Sequence, residues 1–235
     1  MAKKSVCKKN QQKSHTLVFG LTADPIHQGH KQVILNSFTF AKQQNLSLEK
    51  FLLVPTYQPN LIADKQRSRT AFHHRLEMCE LVANEIIKKY KYPVYVSDIE
   101  KQLFLKSNNK SFSFETLQAI SAPHKLFVLS ADHFAGRWPK FRKWFNWRQL
   151  IEANGLMIHQ RPGHGINHGF INRLRDINSD VFVVKDLPTI EISSTLLRAE
   201  LIKHEKPDDS YLSERVFKYI QKHSIYAKSV SSTNE

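Results

Sequence analysis

The chain has 235 residues, 41% hydrophobic and 24% charged, with only 7 Gly and 9 Pro, which excludes collagenous, low-complexity and wholly disordered classes. A single domain of this length buries roughly 70–75% of its unfolded surface, so a core needs no staples. The net charge is +14, from 35 Lys and Arg against 21 Asp and Glu, which selects anionic partners without choosing among nucleotides, nucleic acid and acidic lipid.

Lys3, Lys4, Lys8, Lys9 and Lys13 make residues 1–14 a basic leader without acids and without the apolar stretch of a secretion signal. No apolar run approaches the roughly 20 residues that cross a bilayer. Cys7 and Cys79 are too few for a disulfide framework and form no CxxC pair, so a reducing cytoplasm is the expected location and no membrane partner is expected. The leader has no interleaved aromatics, which makes a solvated tail the simpler reading and nucleic acid the less favoured partner. One domain is expected over residues 15–226, followed by a polar tail over 227–235.

Six short β-branched and aromatic runs predict strands: Thr16 to Leu21, Phe51 to Val54, Val94 to Val96, Leu126 to Leu129, Leu156 to His159 and Val181 to Val184. Helical patterns lie between them at Lys31 to Gln44, Arg69 to Tyr90, Ser113 to Ile120, Arg148 to Ala153, Ser194 to Lys203 and Ser213 to Gln221. In the longest, Leu76, Cys79, Ala83, Ile86 or Ile87, and Tyr90 recur at spacings of three and four, predicting a stripe against a sheet. Alternating strands and helices predict a Rossmann-like α/β domain, a mostly parallel sheet with helices on both faces, whose ligands sit beyond the carboxyl ends of the strands.

Between the first strand and first helix stands Phe19-Gly20-Leu21-Thr22-Ala23-Asp24-Pro25-Ile26-His27-Gln28-Gly29-His30. A phosphate belongs there: Gly20 permits close approach, Pro25 fixes the turn, and Gly29 leaves the helix start uncrowded so that free N–H groups face an anion. His27 and His30, three apart, can point into one cleft and donate to phosphate oxygens as charge builds. A second segment, Ile190-Glu191-Ile192-Ser193-Ser194-Thr195-Leu196-Leu197-Arg198, follows the last strand. Ser193 or Ser194 can cap the helix, and Arg198, one turn in, can fork onto the same anion.

These two segments resemble the G-x-T-x-D-P-x-H-x-G-H and I-S-S-T-x-x-R signatures of the nucleotidyltransferase superfamily of Rossmann-like adenylyltransferases. Further stretches resemble bacterial nicotinate-nucleotide adenylyltransferases: His74-Arg75-Leu76-Glu77-Met78, Ser111 to Leu117, Phe127 to Asp132, Trp144 with Leu150 and Ile151, Gln160 to Gly163, and Val216 to Ile220 followed by Ile225-Tyr226. The resemblance implies transfer of AMP from ATP to the 5′-phosphate of nicotinate mononucleotide, giving nicotinate adenine dinucleotide, with magnesium accompanying ATP. By similarity His27, His30 and Arg198 are catalytic. Gly20, Leu21, Thr22, Gly29, Ile192, Ser193 and Ser194 hold ATP, Asp132 binds a nucleotide ribose and Arg161 borders the adenine. Ser113, Trp144 and Phe145 recognise the pyridine ring. Related chemistry on nicotinamide mononucleotide or phosphopantetheine, or a relative that binds nucleotide or RNA without turnover, are the alternatives. Oligomeric state is left open, a homo-oligomer included.

The sequence departs from that pattern at Leu21 and Ala23, at Phe112 and Ser130, and in the longer stretch between Asp132 and Trp144. The basic P-P-H-K run is replaced by Pro59-Asn60-Leu61-Ile62, with Lys65, Arg67 or Arg69 as candidate substitutes or a plain solvated loop. Arg137 to Trp144 packs four bases among three aromatics, as a lid, as a surface for an anion, or with Trp138 as the stacking residue. His164 and His168, and His73 with His74, lack a third ligand at zinc spacing, so no metal site is expected. Cys79, on an apolar stripe, reads as core.

Overall fold

The computed structural model describes residues 13–58, 70–161, 163, 165–203 and 205–227. Most of the leader with Cys7, the run from Pro59 to Ile62, Lys65, Arg67, Arg69, Pro162, His164 and most of the tail lie outside the described residues. Six strands form one sheet: β1 (Ser14–Leu21), β2 (Ser47–Pro55), β3 (Val94–Val96), β4 (Lys125–Ser130), β5 (Gly155–His159) and β6 (Val181–Val184). Among the described residues eight α-helices connect or follow them: α1 (Gln28–Gln43), α2 (Phe72–Tyr90), α3 (Ile99–Ser107), α4 (Ser113–Ala119), α5 (Trp147–Ala153), α6 (His168–Ile177), α7 (Ser194–Ile202) and α8 (Glu214–Lys222).

Every strand pair is parallel and the order is β3-β2-β1-β4-β5-β6. The order reverses between β1 and β4. There the connections leave in opposite directions and open a crevice at the strands' carboxyl ends.

Both faces of the sheet are covered, and the period of two along each strand sorts the core accordingly. Leu17, Phe51, Leu53, Leu126, Val128 and Met157 pack with residues of α1, α2, α7 and α8, such as Ile34, Met78, Leu197 and Val216. Their neighbours Val18, Val54, Phe127, Leu129, Leu156 and Ile158 pack with Leu117, Leu150, Ile151, Phe170 and Leu174 from α4, α5 and α6 on the other side. Buried on both faces, the strands read as continuous apolar runs rather than alternating ones.

Three features differ from the sequence reading. The stripe of α2 runs through Arg75, Met78, Cys79, Val82, Ala83 and Ile86: Cys79, Ala83 and Ile86 are buried as predicted, Leu76 is half-buried, and Ile87 and Tyr90 are exposed. Arg75 is a charged residue that the fold buries to hold loop carbonyls. Helices α3 and α6 lack counterparts in the predicted elements. Ser14, counted with the leader, already pairs with Ser47 in β2, and Lys13 pairs with Asp180.

Gly155 opens β5 where no side chain fits: a Cβ there would lie 2.4 Å from the Asp180 carbonyl oxygen and 2.5 Å from a Leu126 methyl. Gly155→Ala is expected to destabilise the fold by about 2–3 kcal/mol, because backbone must shift to admit the methyl. A urea midpoint unchanged from wild type would refute that.

No helix among the described residues is long and apolar enough to cross a membrane.

Candidate active site

The loop after β1 and the N-terminus of α7 meet over the crevice. Arg198 Nη1 donates to the Asp24 carbonyl at 2.6 Å and Ser194 Oγ donates to the Pro25 carbonyl at 3.0 Å, across 174 and 169 residues of chain. The Tyr226 hydroxyl, from the segment after α8, donates to Asp24 Oδ1 at 2.5 Å. The two segments singled out by sequence therefore form one wall.

His27 caps α1 and His30 stands three residues in, their rings stacked 3.8 Å apart. The His27 N–H donates to His30 Nδ1 at 3.2 Å, which places the His30 proton on Nε2. Burial first, then the Arg161 charge, lowers His27 to about 4. Burial, His27 and Arg161 in that order hold His30 well below the usual imidazole value. Both rings are neutral hydrogen-bond donors at neutral pH. Gly29 makes their packing feasible, since a Cβ there would come within 3.0 Å of the His27 ring and 3.1 Å of the Ile190 carbonyl. At Gly20 a Cβ would meet Phe127 at an ordinary 3.7 Å, so any demand for glycine there comes from a ligand.

The N–H groups at the helix starts are only partly free. Gln28 N–H is taken by the Tyr211 carbonyl at 2.9 Å, a correction to the expectation of an open α1 terminus. At α7, Ser193 Oγ accepts from Leu196 N–H at 3.2 Å, leaving the Ser194 and Thr195 N–H groups without partners among the described residues.

The crevice encloses about 1660 Å³ and is lined by Gly20, Leu21, Thr22, Gly29, Asp132, Arg161, Ile192, Ser193, Ser194 and Ser113, together with His27, His30 and Arg198. Burial works to raise Asp132, but the Ser130 hydroxyl, His133 and Arg161 outweigh it and keep the carboxyl below its usual range. A positive end at Arg161 and a carboxylate at Asp132 thus share one cleft.

The cytidylyltransferase-like family profile matches residues 18–200. The chain belongs to that family. A protein of Shewanella sp. strain ANA-3 described as a probable nicotinate-nucleotide adenylyltransferase is 28% identical over 229 residues, covering 89% of this chain and 97% of the relative. A Thermotoga petrophila protein of the same description is 29% identical over 185 residues, covering 77% and 82%. The solved Plasmodium falciparum nicotinic acid mononucleotide adenylyltransferase complexed with NaAD superposes with a TM-score of 0.69 at 20% identity, covering 91% of this chain and 98% of that one, and shares the fold.

Two residues that the sequence assigns to this cytidylyltransferase-like site are not in the cleft wall. Trp144 packs behind it, against Phe127, Phe141 and the ring of His133, at centroid distances of 6.1, 5.3 and 5.1 Å. His133, in edge contact with Trp144, is the one of the two that lines the cleft. Phe145 is 47% exposed and packs at a tilt against Phe112, outside the lining residues. Trp138 is 69% exposed, flanked by Arg137 and Arg142, and lies away from the lining residues.

Other lining residues were not legible in the sequence: Glu100, His133, His159 and Asn36. Arg75, beneath the wall, was visible only as part of a motif. It is 2% exposed and donates to the carbonyls of Thr22 (2.8 Å), Thr56 (2.6 Å), Tyr57 (3.2 Å) and Thr70 (3.2 Å). Glu100 Oε2 accepts the Tyr57 N–H at 2.9 Å. Burial pushes Glu100 up to about 7, against that N–H, the Arg75 guanidinium and the Thr116 hydroxyl, which pull it down. Burial also pushes the Cys79 thiol up, as for a core residue. Among the described residues no group of three or more His, Cys, Asp or Glu side chains could hold a metal ion.

Proposed function

We propose that this chain transfers AMP from ATP to the 5′-phosphate of nicotinate mononucleotide, forming nicotinate adenine dinucleotide and pyrophosphate. The observation that carries the reading is the joining of the His27–His30 pair to the Ser193–Arg198 segment over the sheet's switch point. Curated relatives described as probable nicotinate-nucleotide adenylyltransferases support it.

A phosphate oxygen of the mononucleotide attacks the α-phosphorus of ATP, the bond from that phosphorus to the β-bridging oxygen breaks, and pyrophosphate leaves. The attacking phosphate monoester is largely ionised at neutral pH, its second pKa being about 6, so no side chain need remove a proton. Catalysis is then placement and charge stabilisation. His30 and His27 donate to the α-phosphoryl oxygens, where charge builds in the transition state. Gly20, Leu21, Thr22 and Gly29 shape the loop around the triphosphate. Ser194 and Thr195 N–H groups, the Ser193 cap and the spare donors of Arg198 hold the departing pyrophosphate, and Ile192 backs them. Asp132 accepts from a ribose hydroxyl and Arg161 lies over the nucleotide. On the other side of the cleft Ser113 meets the pyridine, and Trp144 supports His133 from behind, with Phe145 and Phe112 at the mouth. Magnesium arrives as part of the substrate, bound to the triphosphate, whose charge it partly neutralises.

Purified protein should release pyrophosphate with magnesium-ATP and nicotinate mononucleotide, at least about tenfold faster at equal concentration than with nicotinamide mononucleotide or phosphopantetheine. Absence of release with every acceptor would remove the enzymatic reading.

A further inference from the structure

At the carboxyl ends of β5 and β6 the cleft wall carries one buried polar side chain that the reaction above does not employ. His159, the last residue of β5, is 5% exposed and lines the cleft. Its Nε2 lies 2.9 Å from Ser37 Oγ on α1. Ser37 Oγ is also 2.8 Å from the Val33 carbonyl, which can only accept, so the single hydroxyl proton goes there. The imidazole must then donate from Nε2, and its Nδ1, to which no hydrogen bond is made among the described residues, is left as a lone-pair acceptor.

Helix α1 thereby fixes the tautomer. Burial, with no charged group acting on the ring, holds His159 at about 3, so it stays neutral at any working pH. The nearby amide is already committed: Asn36 Nδ2 donates to the Pro188 carbonyl at 2.7 Å and its Oδ1 accepts from Gln32 at 2.8 Å. Val184, Leu187 and Ile190 supply apolar surface for a flat ring in the same part of the wall.

A fixed acceptor in an apolar wall selects a base that carries an N–H. Of the two bases in the reaction, nicotinate has none and presents a carboxylate, which a lone pair repels; adenine presents an exocyclic amine. We propose that His159 is a specificity-determining residue for adenine, its Nδ1 accepting from the 6-amino group, and that Ser37 is the positioning residue that sets its tautomer. The assignment rests on the adenylyltransferase reading.

Calorimetry of the full chain with magnesium-ATP and with purine riboside triphosphate, which lacks only the amino group, tests it. Wild type is expected to bind ATP about tenfold more tightly. In His159→Phe the preference should fall to within about twofold, with affinity for the purine nucleotide kept within about threefold, since only one hydrogen bond is lost. Ser37→Ala keeps the imidazole but frees its tautomer, and it should narrow the preference in the same direction even where the first variant fails to fold. A preference still near tenfold in both variants, or a wild type that binds the two nucleotides alike, overturns the assignment and leaves the adenylyltransferase reading standing. A wild type that binds neither nucleotide removes that reading as well.

Discussion

His30→Ala should lower kcat by about 10²–10³-fold, the usual cost of removing one preorganised donor from a site of developing charge. The ring lines the cleft and its ring contacts are His27 and Phe19, so its removal widens the cleft rather than opening a cavity in the core; the stability cost should stay within about 1 kcal/mol. The His27 backbone N–H fixes which nitrogen holds the proton, so the donor is aimed before substrate arrives. Steady-state pyrophosphate release at saturating magnesium-ATP, alongside a urea titration, separates the two effects. A kcat within a factor of a few of wild type would strike His30 from the catalytic set.

Arg75→Ala should cost about 3–5 kcal/mol of stability. The guanidinium is the common partner of four backbone carbonyls drawn from the β1 loop, the exit of β2 and the approach to α2. Removing it strands those carbonyls in a buried space and takes away the cation that faces the Glu100 carboxyl. Arg75→Lys should recover less than half, because a single ammonium cannot reach carbonyls on both sides of the side chain as a planar fork does. Urea denaturation measures both variants, and a loss under about 1 kcal/mol for Arg75→Ala would mean that water replaces the guanidinium at all four carbonyls.

The sheet was readable because its strands are short, apolar and flanked by polar residues: Val94–Val96 and Val181–Val184 appear with the predicted boundaries. Helix α3 was not readable because it buries no residue and so carries no periodic stripe. The start of α6 is concealed in the Gly- and His-rich run before Phe170, where composition signals a loop. In α2 the periodicity placed Cys79, Ala83 and Ile86 on the inner face, but a hydropathy pattern cannot anticipate the arginine that joins them there.

The same division runs through the cleft. His27, His30 and Gly29 lie on one continuous turn, and Ser193 to Arg198 on another, so local spacing reveals them. Glu100, Asn36 and His159 come from three different elements and reach the cleft only through the fold. Trp144 shows the converse: its motif position is local, but where its half-buried ring lies depends on Phe127, Phe141 and His133, contacts that only the fold creates.

The contacts of Asp24 set a timetable for biogenesis. Its carbonyl waits for Arg198 and its carboxylate for Tyr226, which lies 202 positions later. A ribosome makes about 5–20 residues per second, so on the order of ten seconds separates synthesis of the first loop from that of its last anchor. Throughout that interval the nascent chain carries its histidine pair without the clasp that finishes the pocket, and nucleotide can help only the last stage of maturation.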